Sequence, residues 1–369
     1  MRKRNKLQLE RLEQRYCLTV GVSVDDGDLI VSGDADGAVV ITATAEGTYE
    51  VSDNGVVVDT VEGVTDDVRI RIDAAGEAND QVTLNLNGQT IDKLLVDLGA
   101  GDNTFTLQGG TVNGAFNYTG GSGDDAVAVE DGVAVNGAML VRLGNGDNSL
   151  KMNGDAERDL AVQSGSGDDT VELGADAVIG RALLALLGNG DNSVSVAGEI
   201  TRDAAILTGS GDDLITLLAT AAVGRSLNIG AGNGDNTIDI AGDVTGNVNV
   251  CGGSGNDAVT IASDATLESN VNVNLGSGDN TLTHNGNIDG NLRVVSRNEN
   301  DVVTIADAAT VGGETTTSLG EQLPFGGQRG RGPGGPRGGF GGPRGGFGSG
   351  TNGNSGTTTS TTSFSSLRR

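Results

Sequence analysis

Apolar residues recur in pairs separated by one polar residue, and the pairs return at a nearly constant distance along most of the chain. Each copy can be anchored on the residue after the second glycine of a G-x-G corner. The anchors are Asn79, Asp102, Asp124, Asp147, Asp168, Asp191, Asp212, Asp235, Asn256, Asp279 and Asn300. They are separated by 23, 22, 23, 21, 23, 21, 23, 21, 23 and 21 residues. Glycine is lost from the corner in the first and last copies (Ala78, Glu299), as expected of terminal repeats. Three and five residues after the anchor lie apolar pairs such as Val171/Leu173, Val194/Val196 and Ile215/Leu217. This period of two marks a strand with one buried face. A second pair precedes the anchor by eight and six residues, for example Leu160/Val162 and Val271/Val273. A weaker V-x-G-like turn lies between the two, as at Val112–Gly114 and Val244–Gly246.

One such unit cannot bury its apolar face alone, whereas stacked units share a continuous core. The pattern therefore predicts an all-β chain: a parallel β-solenoid of about eleven coils of about 22 residues. A β lead-in comes before it, and both ends of the chain read as disordered. The expected organisation is a basic segment over 1–24, a β lead-in or cap over 25–75, the repeats over 76–318 and a Gly/Arg/Pro/Ser/Thr-rich tail over 319–369. A coil of 44 residues, made of two copies, fits the same spacing, and the sequence leaves the choice open.

The residue after the anchor alternates without exception: Asp80, Asn103, Asp125, Asn148, Asp169, Asn192, Asp213, Asn236, Asp257, Asn280, Asp301. With one copy per coil, this column stacks Asp on Asn along one edge. Interleaved Asn halves the charge and supplies amide donors to the carboxylates. With two copies per coil, the Asp-Asp and Asp-Asn corners fall on separate edges.

Composition sharpens the class. The chain has 369 residues with 63 glycines, no Trp and a formal net charge of −27. Residues 17–320 hold 11 basic and 47 acidic groups, a net charge near −36. Such a middle repels phosphates, so no nucleic acid is expected to bind the solenoid, and it favours cations or a solvated surface. All four prolines follow residue 320, and only Cys17 and Cys251 are present, so no disulfide framework is predicted. No apolar run reaches the roughly 18 residues of a membrane span.

Two stretches, "GGSGDDAVA" at 120–128 and "GGSGNDAVT" at 252–260, fit G-G-x-G-x-D-x-U-x. The pattern resembles the nonapeptide of RTX, or haemolysin-type, calcium-binding repeats, although the spacing here is near 22 residues instead of nine. The resemblance implies calcium held between coils by turn carboxylates and carbonyls. By position, the implied ligands are Asp125, Asp169, Asp213 and Asp257, with Asp124, Asp168 and Asp212 beside them. The anchors of the Asn-bearing copies, Asp147, Asp191, Asp235 and Asp279, complete the candidate set. The alternative is turn chemistry alone, with Asp and Asn bonding their own backbone.

At the start of the chain, "LEQRYCL" (12–18) resembles the LEPR-XLL segment of planctomycete secreted and surface proteins. Gln14 stands for the family's Pro and Cys17 for a Leu. The tail stretch "PRGGFGGPRGGFG" (336–348) resembles RGG segments that bind nucleic acid, and reads by composition as a flexible linker.

His284, the single histidine, falls in an inward column near the end of the stack and is expected to be a frayed position without catalytic partners. Arg158, Arg181, Arg202 and Arg225 each lie ten residues before an anchor and are expected to stack. Two readings remain for them: a self-neutralising ladder with Glu157, Asp159, Glu199 and Asp203, or a grip on sulfate or uronate groups.

Together these features point to an extracellular or cell-surface structural or adhesive solenoid, with calcium as its cofactor, and not to an enzyme. Anionic polysaccharide or cell-envelope components are further candidate partners. The alternative class is a polysaccharide-binding or -cleaving β-helix protein. That class needs long loop insertions to build a groove, and the copies here vary by only two residues.

Overall fold

The computed structural model describes residues 20–72 and 79–320; the basic start, the N-terminal motif, Cys17 and the Arg/Gly-rich tail lie outside the described residues. Those described form a parallel β-solenoid with three sheets along its faces, of 14, 14 and 11 strands. We call them sheets A, B and C. Each coil runs through B, then C, then A, and returns to B through the G-x-G corner. In one coil these strands are Thr170–Leu173, Val178–Ile179 and Leu183–Gly188.

One copy makes one coil. Thr170–Leu173 pairs in parallel with Ser149–Met152 of the preceding copy and with Ser193–Val196 of the following one. The 44-residue alternative is thereby excluded. The inward columns are those the periodicity names: Val171, Leu173, Ile179, Leu183 and Ala185 are all buried. Phe105, Phe116 and Tyr118 pack together inside, with ring centroids 5.8 and 6.0 Å apart.

Two kinds of coil alternate, which explains the spacings of 23 and 21. The longer coil carries a β-turn between sheets B and C, closed by bonds such as Ala177 N–H to Gly174 O (3.2 Å) and Ala221 N–H to Leu218 O (2.8 Å). It also carries a bulge at the end of its sheet A strand, where Leu143, Leu187 and Leu275 are the extra residues, all buried. The shorter coil has neither. At its B-to-C corner a glycine passes close to the coil below: a Cβ on Gly198 would lie 2.2 Å from Ala177 O.

The lead-in joins the stack. Strand β1 (Gly21–Asp25) pairs antiparallel with β2 (Asp28–Gly33), and β2 pairs in parallel with β6 (Val68–Ile72), the next strand of sheet A. Strand β3 (Ala38–Ala45) enters sheet B in parallel with β7 (Gln81–Asn85). Strands β4 (Thr48–Asp53) and β5 (Val56–Glu62) extend that sheet antiparallel. Two of the three reversals, β1 to β2 and β4 to β5, are made by Asp26-Gly27 and Asn54-Gly55, all four at positive φ, as a type I′ turn requires. At the far end His284 is buried, not frayed, with Nε2 3.2 Å from Thr310 O. The stack continues past it through Val302–Ile305, so its column is still covered.

The second glycine of the corner has two reasons to be glycine. Gly190 sits at φ +128°, and a Cβ there would lie 2.0 Å from Gly167 O of the coil below. Gly132 is also at positive φ (+77°) but meets nothing within 4 Å. Gly132→Ala should therefore cost about 1–2 kcal/mol, the conformational penalty alone. Gly190→Ala should cost several-fold more, because the coils must separate. Chemical denaturation of the two variants checks this; equal losses would mean that coil-to-coil contact at the corner does not limit stability.

Candidate metal centre at the acidic corner

The corner splits the predicted ligands into two columns with different surroundings. In the outer column lie Asp102, Asp124, Asp147, Asp168, Asp191, Asp212, Asp235, Asn256 and Asp279. From Asp124 to Asp279, each backbone N–H donates to the side-chain Oδ1 of the preceding coil, at 2.6–2.9 Å. These side chains lean toward the C-terminal end of the stack. Seven successive coils, Asp102 to Asp235, place a carboxylate here with no Asn between them.

The alternating residues form the inner column, and the edge along which they stack is enclosed and not open to solvent. From Asn103 to Asn280 every member is at most 1% exposed. The hydrogen bonds run the other way: each backbone N–H donates to the Oδ1 of the following coil, at 2.7–3.1 Å. Two opposed ladders therefore tie each coil to both neighbours.

Burial explains the alternation. Asn148 donates one amide proton to Gly146 O of its own corner (2.8 Å) and another to Oδ1 of Asp169 (2.9 Å). Asn192 and Asn236 repeat the arrangement with Gly190 and Asp213, and with Gly234 and Asp257. A carboxylate in place of the Asn would have no proton for the carbonyl and would face a second buried carboxylate. Buried like charges are costly because no water screens them.

A third column, five residues before each inner Asp, was missed in the sequence. It holds Gly120, Ser164, Thr208, Gly252 and Ser296. Ser164 Oγ lies 2.5 Å from Asp169 Oδ2 and 2.7 Å from Leu187 O, the bulge carbonyl of the next coil. A hydroxyl has one proton to give, so both contacts are full hydrogen bonds only when Asp169 carries a proton of its own. At Gly252 the carboxylate takes the side chain's place, since a Cβ there would meet Asp257 Oδ2 at 2.3 Å. The sequence signal was available: glycine, serine or threonine in a column where the alternate coils carry Leu143, Leu187, Ala231 and Leu275. The x of G-x-G also alternates between Ser and Asn from Ser122 to Ser254, with Ser210 and Ser254 donating to Asn189 (2.8 Å) and Asn233 (2.6 Å).

Burial pushes the Asp125 carboxyl up to about 6, against the opposing pull of N–H groups from Asn103 and Gly121. It also raises Asp169, Asp213 and Asp257 above the ordinary carboxylate value. Oδ2 of Asp213 and of Asp257 has no hydrogen-bond partner among the described residues. Thus Asp125, Asp169, Asp213 and Asp257 are members of an internal ladder. Asp124, Asp147, Asp168, Asp191, Asp212, Asp235 and Asp279 are the ones in contact with solvent. Among the described residues, no three His, Cys, Asp or Glu side chains converge on one point as a ready metal cage. Any ion held at the outer column must therefore bridge carboxylates of neighbouring coils. Strands in a sheet are spaced about 4.8 Å apart, about twice the 2.3–2.6 Å length of a calcium–oxygen bond, so the spacing accommodates calcium.

Two outcomes follow from the inner ladder. Replacing Asn148, Asn192 and Asn236 together with Asp should lower stability by at least about 3 kcal/mol, with recovery in acid and little from salt, since buried charge is poorly screened. Thermal unfolding across pH and salt checks this, and full rescue by salt would place the column at the surface. The second outcome concerns Asp125, whose folded value lies above its ordinary value near 4. Its contribution to stability is fully present below about pH 4 and is lost as pH rises through about 6. In chelator the melting temperature should rise between about pH 7 and about pH 5, and Asp125→Asn should flatten part of that rise.

No protein-family model matches the chain, and no curated protein matches it. Among solved structures it is similar to a hyperactive, Ca2+-dependent, beta-helical antifreeze protein from an Antarctic bacterium. The two are 21% identical with a TM-score of 0.36, over 63% of this chain and 78% of that one. By its own sheets and register, this chain is a parallel β-solenoid with alternating 21- and 23-residue coils.

Proposed function

We propose that the chain is a secreted or cell-surface structural solenoid that calcium stiffens along the outer acidic corner. The observation that carries this reading is the run of seven outer carboxylates, Asp102 to Asp235, with no Asn between them. The inner column relieves every second charge, and the outer column does not. From Asp102 to Asp235 each carboxylate has one oxygen fixed by the next coil's N–H. In Asp102 the other oxygen accepts from Asn79 Nδ2 (3.3 Å), and from Asp124 to Asp235 it is left to a cation. Adjacent unit charges at this spacing repel by about 1 kcal/mol in water, so a bound divalent ion gains from each pair it bridges. Two carboxylates completed by water make a weak site, of the order of 10⁻⁴–10⁻³ M, which suits a protein outside the cell.

Isothermal titration and thermal unfolding with calcium test this. Expected are several ions per chain at millimolar concentration, a raised melting temperature, and a smaller effect from magnesium, which sheds water reluctantly. Substituting Asn for Asp147, Asp191 and Asp235 keeps the Oδ1 acceptors of the ladder and should lower the number of ions bound. Absence of heat and of any thermal shift would remove calcium from the reading and leave a purely structural solenoid.

A further inference from the structure

The arginines do not neutralise themselves as fully as their neighbours allow. Arg158, Arg181, Arg202 and Arg225 are all exposed at the corner that leads from sheet C into sheet A. They stack in consecutive coils: Arg202 N–H donates to Arg181 O and Arg225 N–H to Arg202 O, each at 3.0 Å. Arg158 falls in line because Leu160, two residues on, pairs with Leu183, two residues after Arg181. Among the described residues, the only ion pair these arginines make is Arg181 to Asp159, at 3.4 Å. Asp159 and Asp203 already spend one oxygen each on the backbone of the next coil, at Ala182 (3.3 Å) and Ser226 (3.2 Å).

The same four coils carry Asp168, Asp191, Asp212 and Asp235 at the other end of sheet A. Arginines and aspartates thus lie at matching heights and at one common spacing. Between them the sheet is free of like charge. Its ten strands from Phe116–Thr119 to Thr315–Ser318 contain no Asp or Glu, and Leu207 stands 44% exposed on its outer face.

We propose that copies of this chain associate side by side without stagger. The arginine ladder of one lies against the outer aspartate ladder, Asp168 to Asp235, of the next. Each molecule has one ladder of either kind at different corners, so the contact is heterologous and a dimer leaves one ladder of each kind unmet; association continues into rings or rows. Exposed ion pairs are individually weak, and the register of four is what gives the contact strength. The partner is a second copy and not an anionic polymer, because the chain itself supplies a carboxylate row with the required spacing and number. The inference extends the structural role proposed above and does not depend on calcium, which competes for the same aspartates.

Sedimentation velocity on the full chain, in chelator and at low salt, tests it. The parent should show association that grows with concentration and disappears at high salt, where exposed charges are screened within a few ångströms. One variant has all four arginines changed to Gln; a second has Asp168, Asp191, Asp212 and Asp235 changed to Asn, which retains the Oδ1 acceptors. Each alone should stay monomeric, with circular dichroism confirming the fold. Mixed in equal amounts, they should form one-to-one dimers and grow no further, since each supplies the ladder the other lacks. A parent that stays monomeric at every concentration, or an arginine-free variant that associates like the parent, overturns the proposal. So does a mixture that fails to dimerise. A monomeric parent held on an immobilised polyuronate, with the arginine-free variant released, would assign the ladder to a polyanion instead. Because every arm is run in chelator, failure here leaves the calcium reading standing, and failure of calcium leaves this one standing.

Discussion

The fold depends on how polar groups at a tight corner are satisfied when the chain turns every seven or so residues. A solenoid satisfies its strands by stacking, but a corner points its N–H groups along the axis with no strand to receive them. Here two side-chain columns receive them. The outer one reaches up and the inner one reaches down, so every corner from Asp102 to Asp279 is tied on both sides. Because an unmade bond in a buried place costs more than a made bond returns, this satisfaction fixes the corner's sequence more tightly than the apolar columns fix theirs. Val, Ile, Leu and Phe exchange freely in the inward positions, while the inner polar column never departs from Asp and Asn.

Much of this was legible in the sequence. Alternation at period two named the inward columns of sheets A and B, and the weak V-x-G turn marked sheet C. Burial of those columns follows directly from the pleat, which is why Val171, Leu173 and Leu183 fell where expected. The position of the acidic pairs was not legible, because Asp124 and Asp125 look alike as letters and yet one faces water and the other does not. Polarity argued for the surface in both. The signal that distinguished them was the regularity of the second letter: a solvated column drifts, and a buried ladder with a defined donor and acceptor at each level does not. His284 shows the converse error, in which chemistry suggested an exception and the stack simply enclosed it, with no partner for Nδ1 among the described residues.

Electrostatics is partitioned along the same geometry. From Phe116–Thr119 onward the strands of sheet A carry no carboxylate, and the acid load is carried largely by corners, where side chains can lean along the axis or into water. The inner column handles its charge by interleaving amides, and burial raises the carboxyls of Asp125, Asp169, Asp213 and Asp257 above the ordinary carboxylate value. The outer column leaves its charge to solvent. Separation of the two allows one coil to carry two adjacent aspartates in different surroundings, one buried and one in solvent, although they are neighbours on the chain.

The two-coil alternation also bears on how such a chain can change length. Unequal recombination in a tandem gene can insert or delete a single copy of about 22 residues at little cost to the apolar columns, since all coils share them. It cannot do so at the inner ladder. Loss of one coil would bring two aspartates or two asparagines into contact, and would join a bulged strand to another bulged strand. Lineages of this protein should therefore gain and lose coils two at a time, and the unit of inheritance is the pair even though the unit of folding is the single coil.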